Sequence, residues 1–458
     1  MTLAIIGGGP AGYVAAITAA KNSREVILIE DGPLGGTCLN EGCIPTKALL
    51  ESADMFEKVK SAGAFGIGLT GESPTVQWEA VQSRKREIIQ RLAGGIKYLM
   101  NKNKIKVLQG KASFLSEHDI IVEKDGKQEV INAGHVIIAA GAEPAALPFA
   151  SFDGSWIIDS GDAMSLPSIP ETIFIIGGGI IGCEFASIYS RLGANVVIAE
   201  QAEQILPEED PDIAAFLHTS LEESGVRVFT SVQVERLDPA RQRVFLKNGD
   251  DSFNIQADRC LVAVGRKPRT ADLKLEHIGV RYDRKGIQVN QHMQTNIPHI
   301  YACGDITGGV QLAHAAFHEG IVAASHASGK DMKVNSEIIP RCIYTSPEIA
   351  SVGLNEKKAR ERYGDVRIGE FPFSSNGKAL ILNEAAGKVK IITEPEYQEI
   401  VGVSIVGPGA TELIGQAAVM MHAELTADAM EHFIAAHPTL SETIHEALLQ
   451  VAGQAVHC

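Results

Sequence analysis

One strand–turn–helix–strand pattern occurs twice in this chain, and that repeat limits its fold more than any other feature. Near the start, LAIIGGGPAG (residues 3–12) runs into an alanine-rich helical stretch and then EVILIE (25–30). Further on, IFIIGGGIIG (173–182) runs into EFASIYSRLGA and then NVVIAE (195–200). The glycine clusters begin at Gly7 and Gly177, 170 residues apart, and the second strands end in Glu30 and Glu200. Two mononucleotide-type units of this kind predict an α/β protein with two Rossmann-like dinucleotide-binding domains.

The glycine spacing has a physical reason. In Gly7-x-Gly9-x-x-Gly12 the first glycine allows the tight turn and the second lets the backbone approach a pyrophosphate. The third permits close helix–strand packing, while the helix N-terminus offers positive potential to phosphates. Glu30, eighteen residues after Gly12, is placed to accept hydrogen bonds from a ribose hydroxyl pair. A glycine triplet alone is often no more than a turn; strand, helix and acid together make it specific. Gly177, Gly179 and Gly182 repeat the arrangement, with Glu200 eighteen residues past Gly182. A carboxylate there favours the free 2′-hydroxyl of NAD over the 2′-phosphate of NADP. The residues that follow, Gln201, Ala202, Glu203 and Gln204, supply no arginine.

At 458 residues the chain is too long for one core. The pattern suggests a first dinucleotide domain over 1–143, a second over 144–264, a return to the first over 265–332, and a C-terminal α+β domain over 333–458. A polar amphipathic helix is expected at 77–100. The last domain reads as alternating strands followed by two helical segments. A net charge of −15 argues against nucleic-acid or anionic-membrane binding, because no cationic excess exists to neutralise phosphates. No apolar run approaches a membrane span. The apolar N-terminal stretch lacks a basic leading segment and is broken by glycines, so it reads as folded protein, and the cytoplasm is the expected compartment.

Seven cysteines, an odd number spread thinly, do not make a disulfide framework. Only Cys38 and Cys43 are close, in GGTCLNEGCIPTKALL (35–50). Pro45 suits the first turn of a helix, which puts Cys43 at a helix N-terminus where amide dipoles favour a thiolate. Lys47, four residues on, shares its face and adds positive charge. Five residues bridged by Gly42 can bring the pair within disulfide reach. The spacing serves equally well for two reduced cysteines with packing roles. A metal site is disfavoured, since no second ligand pair is near.

The order GxGxxG, GGTCLNEGCIPTK, GxGxxG, YACGD and HPTLSE, covering essentially the whole chain, resembles the class I pyridine nucleotide–disulfide oxidoreductases. That resemblance implies a homodimeric flavoenzyme using FAD in the first domain and NAD in the second, with the C-terminal domain as the dimer interface. It implies that Cys38 is the interchange thiol that meets the substrate and Cys43 the thiol beside the flavin. Lys47 would lie near the flavin ring and pair with Glu184. Asp305, in the CGD turn, would bind the ribityl and phosphate part of FAD. Backbone at Ala112 and Ala313 would line FAD, and Val234 and Gly265 would line NAD. His437 would be the base that takes the thiol proton, oriented by Glu442 and contributed across the dimer. Without the resemblance a lone histidine among His422, His432 and His445 reads as structural.

Within the family, QLAHAAFHEG, YTSPEIASVG and GPGATELIGQA look like the members that oxidise a protein-bound lipoyl dithiol. The partner would then be the lipoyl-bearing acyltransferase of a 2-oxoacid or acetoin dehydrogenase complex. Glutathione-reducing members prefer NADPH, against Glu200, and place other residues at Ile180 and Gly182. Mercuric reductases use an adjacent C-terminal cysteine pair, whereas this chain ends in AVHC; transhydrogenases lack Cys38 and Cys43. A non-catalytic redox sensor would not need His437 and Glu442. Two positions depart from the family pattern: Ala140, where threonine is common, and the KPRT run after Gly265-Arg266, where asparagine often follows the proline.

Overall fold

The computed structural model describes residues 2–68 and 73–457, so Cys458 lies outside the described residues. Thr2–Ile6 is the middle strand of a five-stranded parallel sheet, ordered Ile300–Ala302, His135–Ile138, Thr2–Ile6, Glu25–Glu30, Lys106–Gln109. Its near-continuous aliphatic run suits a strand covered on both faces. The helix Pro10–Lys21 follows the glycine turn and buries Ala11, Ala15, Ala16 and Ala19. Those small residues let it lie close to the helix Ala313–Ala327.

The second unit builds another parallel sheet, ordered Arg227–Phe229, Asn195–Ala199, Thr172–Ile176, Arg259–Val262, Ile157–Ile158. The duplication extends beyond the glycine turns. Lys111–Phe114, Asp119–Lys124 and Lys127–Asn132 form an antiparallel meander, inserted just before the strand that returns to Thr2–Ile6. Gln233–Asp238, Arg243–Asn248 and Asp251–Gln256 do the same before Arg259–Val262. Each meander turns at a glycine between its second and third strands, Gly126 at φ 74° and Gly249 at φ 59°, but neither has the spaced glycine triplet that marks the dinucleotide turns. Ala142–Pro144 and Arg266–Pro268 pair as a short ribbon beyond the two returning strands.

Beyond residue 340 an antiparallel sheet, ordered Arg341–Ile343, Ile349–Gly353, Ile400–Val406, Lys388–Thr393, Arg367–Pro372, packs against Ala410–His422 and Glu442–Val451. Two further helices, Glu356–Tyr363 and Gly377–Leu382, lie among the strands where only strands were expected. EKKARERY buries only Ala359, so it has no apolar stripe to announce it; the Asn355 side chain caps it by accepting from the Lys358 amide. The amphipathic helix expected at 77–100 runs Trp78–Lys102. No helix of the described residues is long and apolar enough to cross a membrane.

Candidate active site

Both glycine turns have the geometry their residues require. Gly7 and Gly177 lie at φ 105° and 107°, the left-handed region that favours glycine. A Cβ on Gly12 would fall 1.8 Å from the Gly7 carbonyl oxygen, and one on Gly182 would fall 1.9 Å from that of Gly177. Gly9 and Gly179 start their helices with no side-chain cap, which leaves first-turn amides free for a phosphate. The two acids have a duty the sequence did not disclose. Glu30 accepts from the amides of Gly8 and Gly32, and Glu200 from those of Gly178 (2.6 Å) and Ala202 (2.7 Å). Each carboxylate therefore braces its own glycine turn and keeps lone pairs for ribose hydroxyls.

A cavity of about 1160 Å³ unites the two turns. Ordinary ligand pockets hold roughly 300–1,000 Å³, so this one lies above that range. Gly7, Gly9, Glu30, Ala112, Asp305 and Ala313 line it, as do Gly177, Gly179, Glu200, Val234 and Gly265. Cys38, Cys43, Lys47 and Glu184 belong to the same wall. Gly12 and Gly182 lie behind the turns, in keeping with a packing role. Open helix ends, glycines that no Cβ could replace and the cavity's size together fit FAD and NAD.

Cys38 is in the short helix Gly36–Asn40, and Cys43 is the first residue of the helix Cys43–Lys60. A Cβ on Gly42 would lie 2.9 Å from the Thr37 carbonyl oxygen and 3.3 Å from the Cys38 Cα, so glycine lets the two cysteines close up. Both are free thiols in the structure. The hydrogen bond from Cys38 brings the Cys43 thiol down to about 7 against the effect of burial, helped by Lys47 and the helix amide. Cys38, which keeps the shared proton, is raised correspondingly. Lys47 Nζ lies 2.8 Å from both carboxylate oxygens of Glu184, and the Tyr344 amide donates to the same carboxylate at 3.1 Å. The Tyr344 ring faces Lys47 at 4.5 Å.

His437 Nδ1 is 2.9 Å from Glu442 Oε1, while Glu442 Oε2 accepts from the Thr439 amide at 2.8 Å. Burial opposes ionisation of Glu442, yet the Thr439 amide and His437 hold it below the usual carboxylate range. The structure does not bring this pair to the cysteines of its own chain. The His437 side chain is 78% exposed and does not line the cavity.

Arg266 lines the cavity and Tyr344 braces the Lys47–Glu184 pair, two residues that no motif in the sequence marks. The Arg266 guanidinium donates to the Ala142 carbonyl at 2.6 Å and reaches Thr37, the neighbour of Cys38. Its signal was its place directly after Gly265; nothing local marks Tyr344. The two departures from the family pattern both fall in the cavity wall: Ala140 lines it, and so does Arg269, whose amide donates to the Gly141 carbonyl at 3.0 Å.

Residues 1–320 match the family model of the pyridine nucleotide-disulphide oxidoreductases, and residues 339–448 match that family's dimerisation domain. The chain belongs to this family. Within it, a dihydrolipoyl dehydrogenase of Bacillus subtilis (strain 168) is 59% identical over 457 residues, spanning 100% of both chains. The dihydrolipoyl dehydrogenase of Zymomonas mobilis is 38% identical over 99% of this chain and 98% of its own. Among solved structures, LpdA of Mycobacterium tuberculosis superposes with a TM-score of 0.91 at 27% identity, covering 98% of this chain and 99% of that one. The flavoprotein disulfide reductase RclA of Escherichia coli, in its copper(II) complex, gives 0.88 at 28% identity over the same shares.

Proposed function

We propose that the chain oxidises protein-bound dihydrolipoamide to lipoamide and reduces NAD to NADH, the work of a dihydrolipoyl dehydrogenase. One observation carries this reading: a close cysteine pair lines the cavity that both dinucleotide turns share, in a chain alike over its full length to enzymes of that name. A glutathione-reducing activity is not favoured, because Glu200 would meet the 2′-phosphate of NADPH. A non-catalytic sensor leaves the His437–Glu442 pair without a purpose.

Gly7, Gly9, Glu30, Lys47, Ala112, Asp305 and Ala313 would hold FAD; Gly177, Gly179, Glu200, Val234 and Gly265 would hold NAD. FAD, when bound, supplies the two-electron link between dithiol and nicotinamide. The residues do the rest. A substrate thiolate attacks Cys38 of the oxidised pair and releases Cys43 as thiolate. The second substrate thiol then attacks the mixed disulfide, releasing Cys38 and the oxidised lipoyl group. His437, contributed across the dimer, accepts the thiol proton, and Glu442 fixes its ring. Lys47 and the amides of the helix that Cys43 begins keep Cys43 ionised.

The matched dimerisation domain supports a homodimer. The lipoyl group would come on the acyltransferase of a 2-oxoacid or acetoin dehydrogenase complex. We place the protein in the cytoplasm, where Cys183, Cys260 and Cys303 can stay as buried free thiols. The test is NADH formation from dihydrolipoamide and NAD, run beside NADPH with oxidised glutathione. Rapid NADH formation with no glutathione turnover supports the proposal; the reverse overturns both substrate and cofactor preference. Full dithiol turnover in Cys38→Ser would remove the thiol scheme.

A further inference from the structure

The turn that carries Asp305 is held by a buried acid outside the cavity. Gly304 has φ 77° and ψ −160°, a conformation essentially reserved for glycine. Its amide turns away from the strand Ile300–Ala302 and donates to Glu319 Oε2 at 2.6 Å. Glu319 is 7% exposed, on the helix Ala313–Ala327. That helix is itself fixed: a Cβ on Gly320 would lie 2.4 Å from the Ala11 carbonyl oxygen, in the first helix of the fingerprint. Glu319 thus refers the CGD turn to the same scaffold that sets the glycine turn.

We propose that Glu319 is a positioning residue for FAD, fixing the Gly304 amide and thereby aiming Asp305 into the cavity. The inference rests on the reading that Asp305 contacts FAD. Without an acceptor, the Gly304 N–H is left unpaired in a buried place, and the turn relieves this by rotating and carrying Asp305 with it. Burial pushes the Glu319 carboxyl up to about 7, against the pull of the Gly304 amide and with Asp305 adding to the rise. A protonated carboxyl still offers a carbonyl oxygen, so the bond survives in either state and an amide can replace it.

Apoprotein titrated with FAD, read by flavin fluorescence and the visible spectrum, tests this with E319Q, E319M and D305A. D305A is expected to weaken FAD binding. E319Q should bind within about threefold of wild type, whereas E319M, which keeps volume and loses the acceptor, should bind roughly tenfold or more weakly, with a displaced flavin band. Wild-type binding and spectrum in E319M, with D305A weakened, overturns the inference alone. D305A binding like wild type overturns the Asp305 reading and the inference together. E319Q as weak as E319M overturns the acceptor role. If E319M does not fold, hydrogen exchange at the Gly304 amide decides: slow exchange is expected in both wild type and E319Q, and fast exchange in wild type overturns the proposal.

Discussion

Lys47 and Glu184, 137 residues apart, pair at 2.8 Å and join the helix that begins with Cys43 to the helix of the second glycine turn. Their charges act on Cys43 in opposite senses: Lys47 lowers the thiol and Glu184 raises it, both behind the larger effect of the Cys38 hydrogen bond.

Removing either partner should therefore move the Cys43 titration in opposite directions. Cys43 ionises above about 7, so thiolate is lost as pH falls through that value. Lys47→Met should shift the midpoint to higher pH and cut the thiolate at neutral pH by about threefold or more. Glu184→Gln should shift it to lower pH. Ultraviolet thiolate absorbance of the reduced apoprotein, with Cys43→Ser as blank, reads both; shifts of the same sign would break the account.

The exposure of His437 leads to a mixing experiment. On the proposed roles, with His437 taking the proton and Glu442 orienting the ring, His437→Gln should lower dithiol turnover by roughly 10²–10⁴-fold and Glu442→Gln by less. Dimers reassembled from equal Cys38→Ser and His437→Gln chains should recover roughly one quarter of wild-type turnover, because half are hybrids with one complete site. No recovery would place the histidine with the cysteines of its own chain.

Glu200 braces the Gly178 and Ala202 amides and faces the cavity. Glu200→Ser removes the carboxylate that opposes a 2′-phosphate. The ratio of kcat/KM for NAD over NADP should fall roughly 10- to 100-fold. An unchanged ratio would assign cofactor choice elsewhere.

Lys390, 3% exposed, pairs with the 2%-exposed Asp210 at 3.3 Å, with Asp212 at 3.2 Å and with Glu356 at 2.7 Å. It joins the C-terminal sheet to the helix Pro211–Glu223 of the second dinucleotide domain. Lys390→Met leaves the buried Asp210 with no cation beside it, only the Glu356 amide at 2.9 Å, at a cost of ~3–5 kcal/mol. Denaturant unfolding should show that loss, and a double Lys390→Met, Asp210→Asn variant should show less of it.

The parts of this protein legible in the sequence are those whose physics is local. Gly7, Gly12, Gly177 and Gly182 answer to positive φ or to contacts a few residues away, so their spacing alone announced two dinucleotide turns. Cys38, Gly42 and Cys43 form a short-range unit, and Glu442 reaches His437 across five residues. The role of the cysteine pair was still open until the order of motifs along the whole chain was weighed. Tertiary structure alone decided what distant side chains do together. It set Tyr344 against Lys47, Arg266 beside Thr37, and Glu319 under Gly304, and it gave a distance to the Lys47–Glu184 pair that only the family resemblance implied. It also gave Glu30 and Glu200 their second duty at the turns. Such contacts leave no periodicity or spacing to read, because two residues far apart in sequence meet only when packed elements bring them together. Tertiary structure also left His437 exposed and off the cavity wall that holds Cys38.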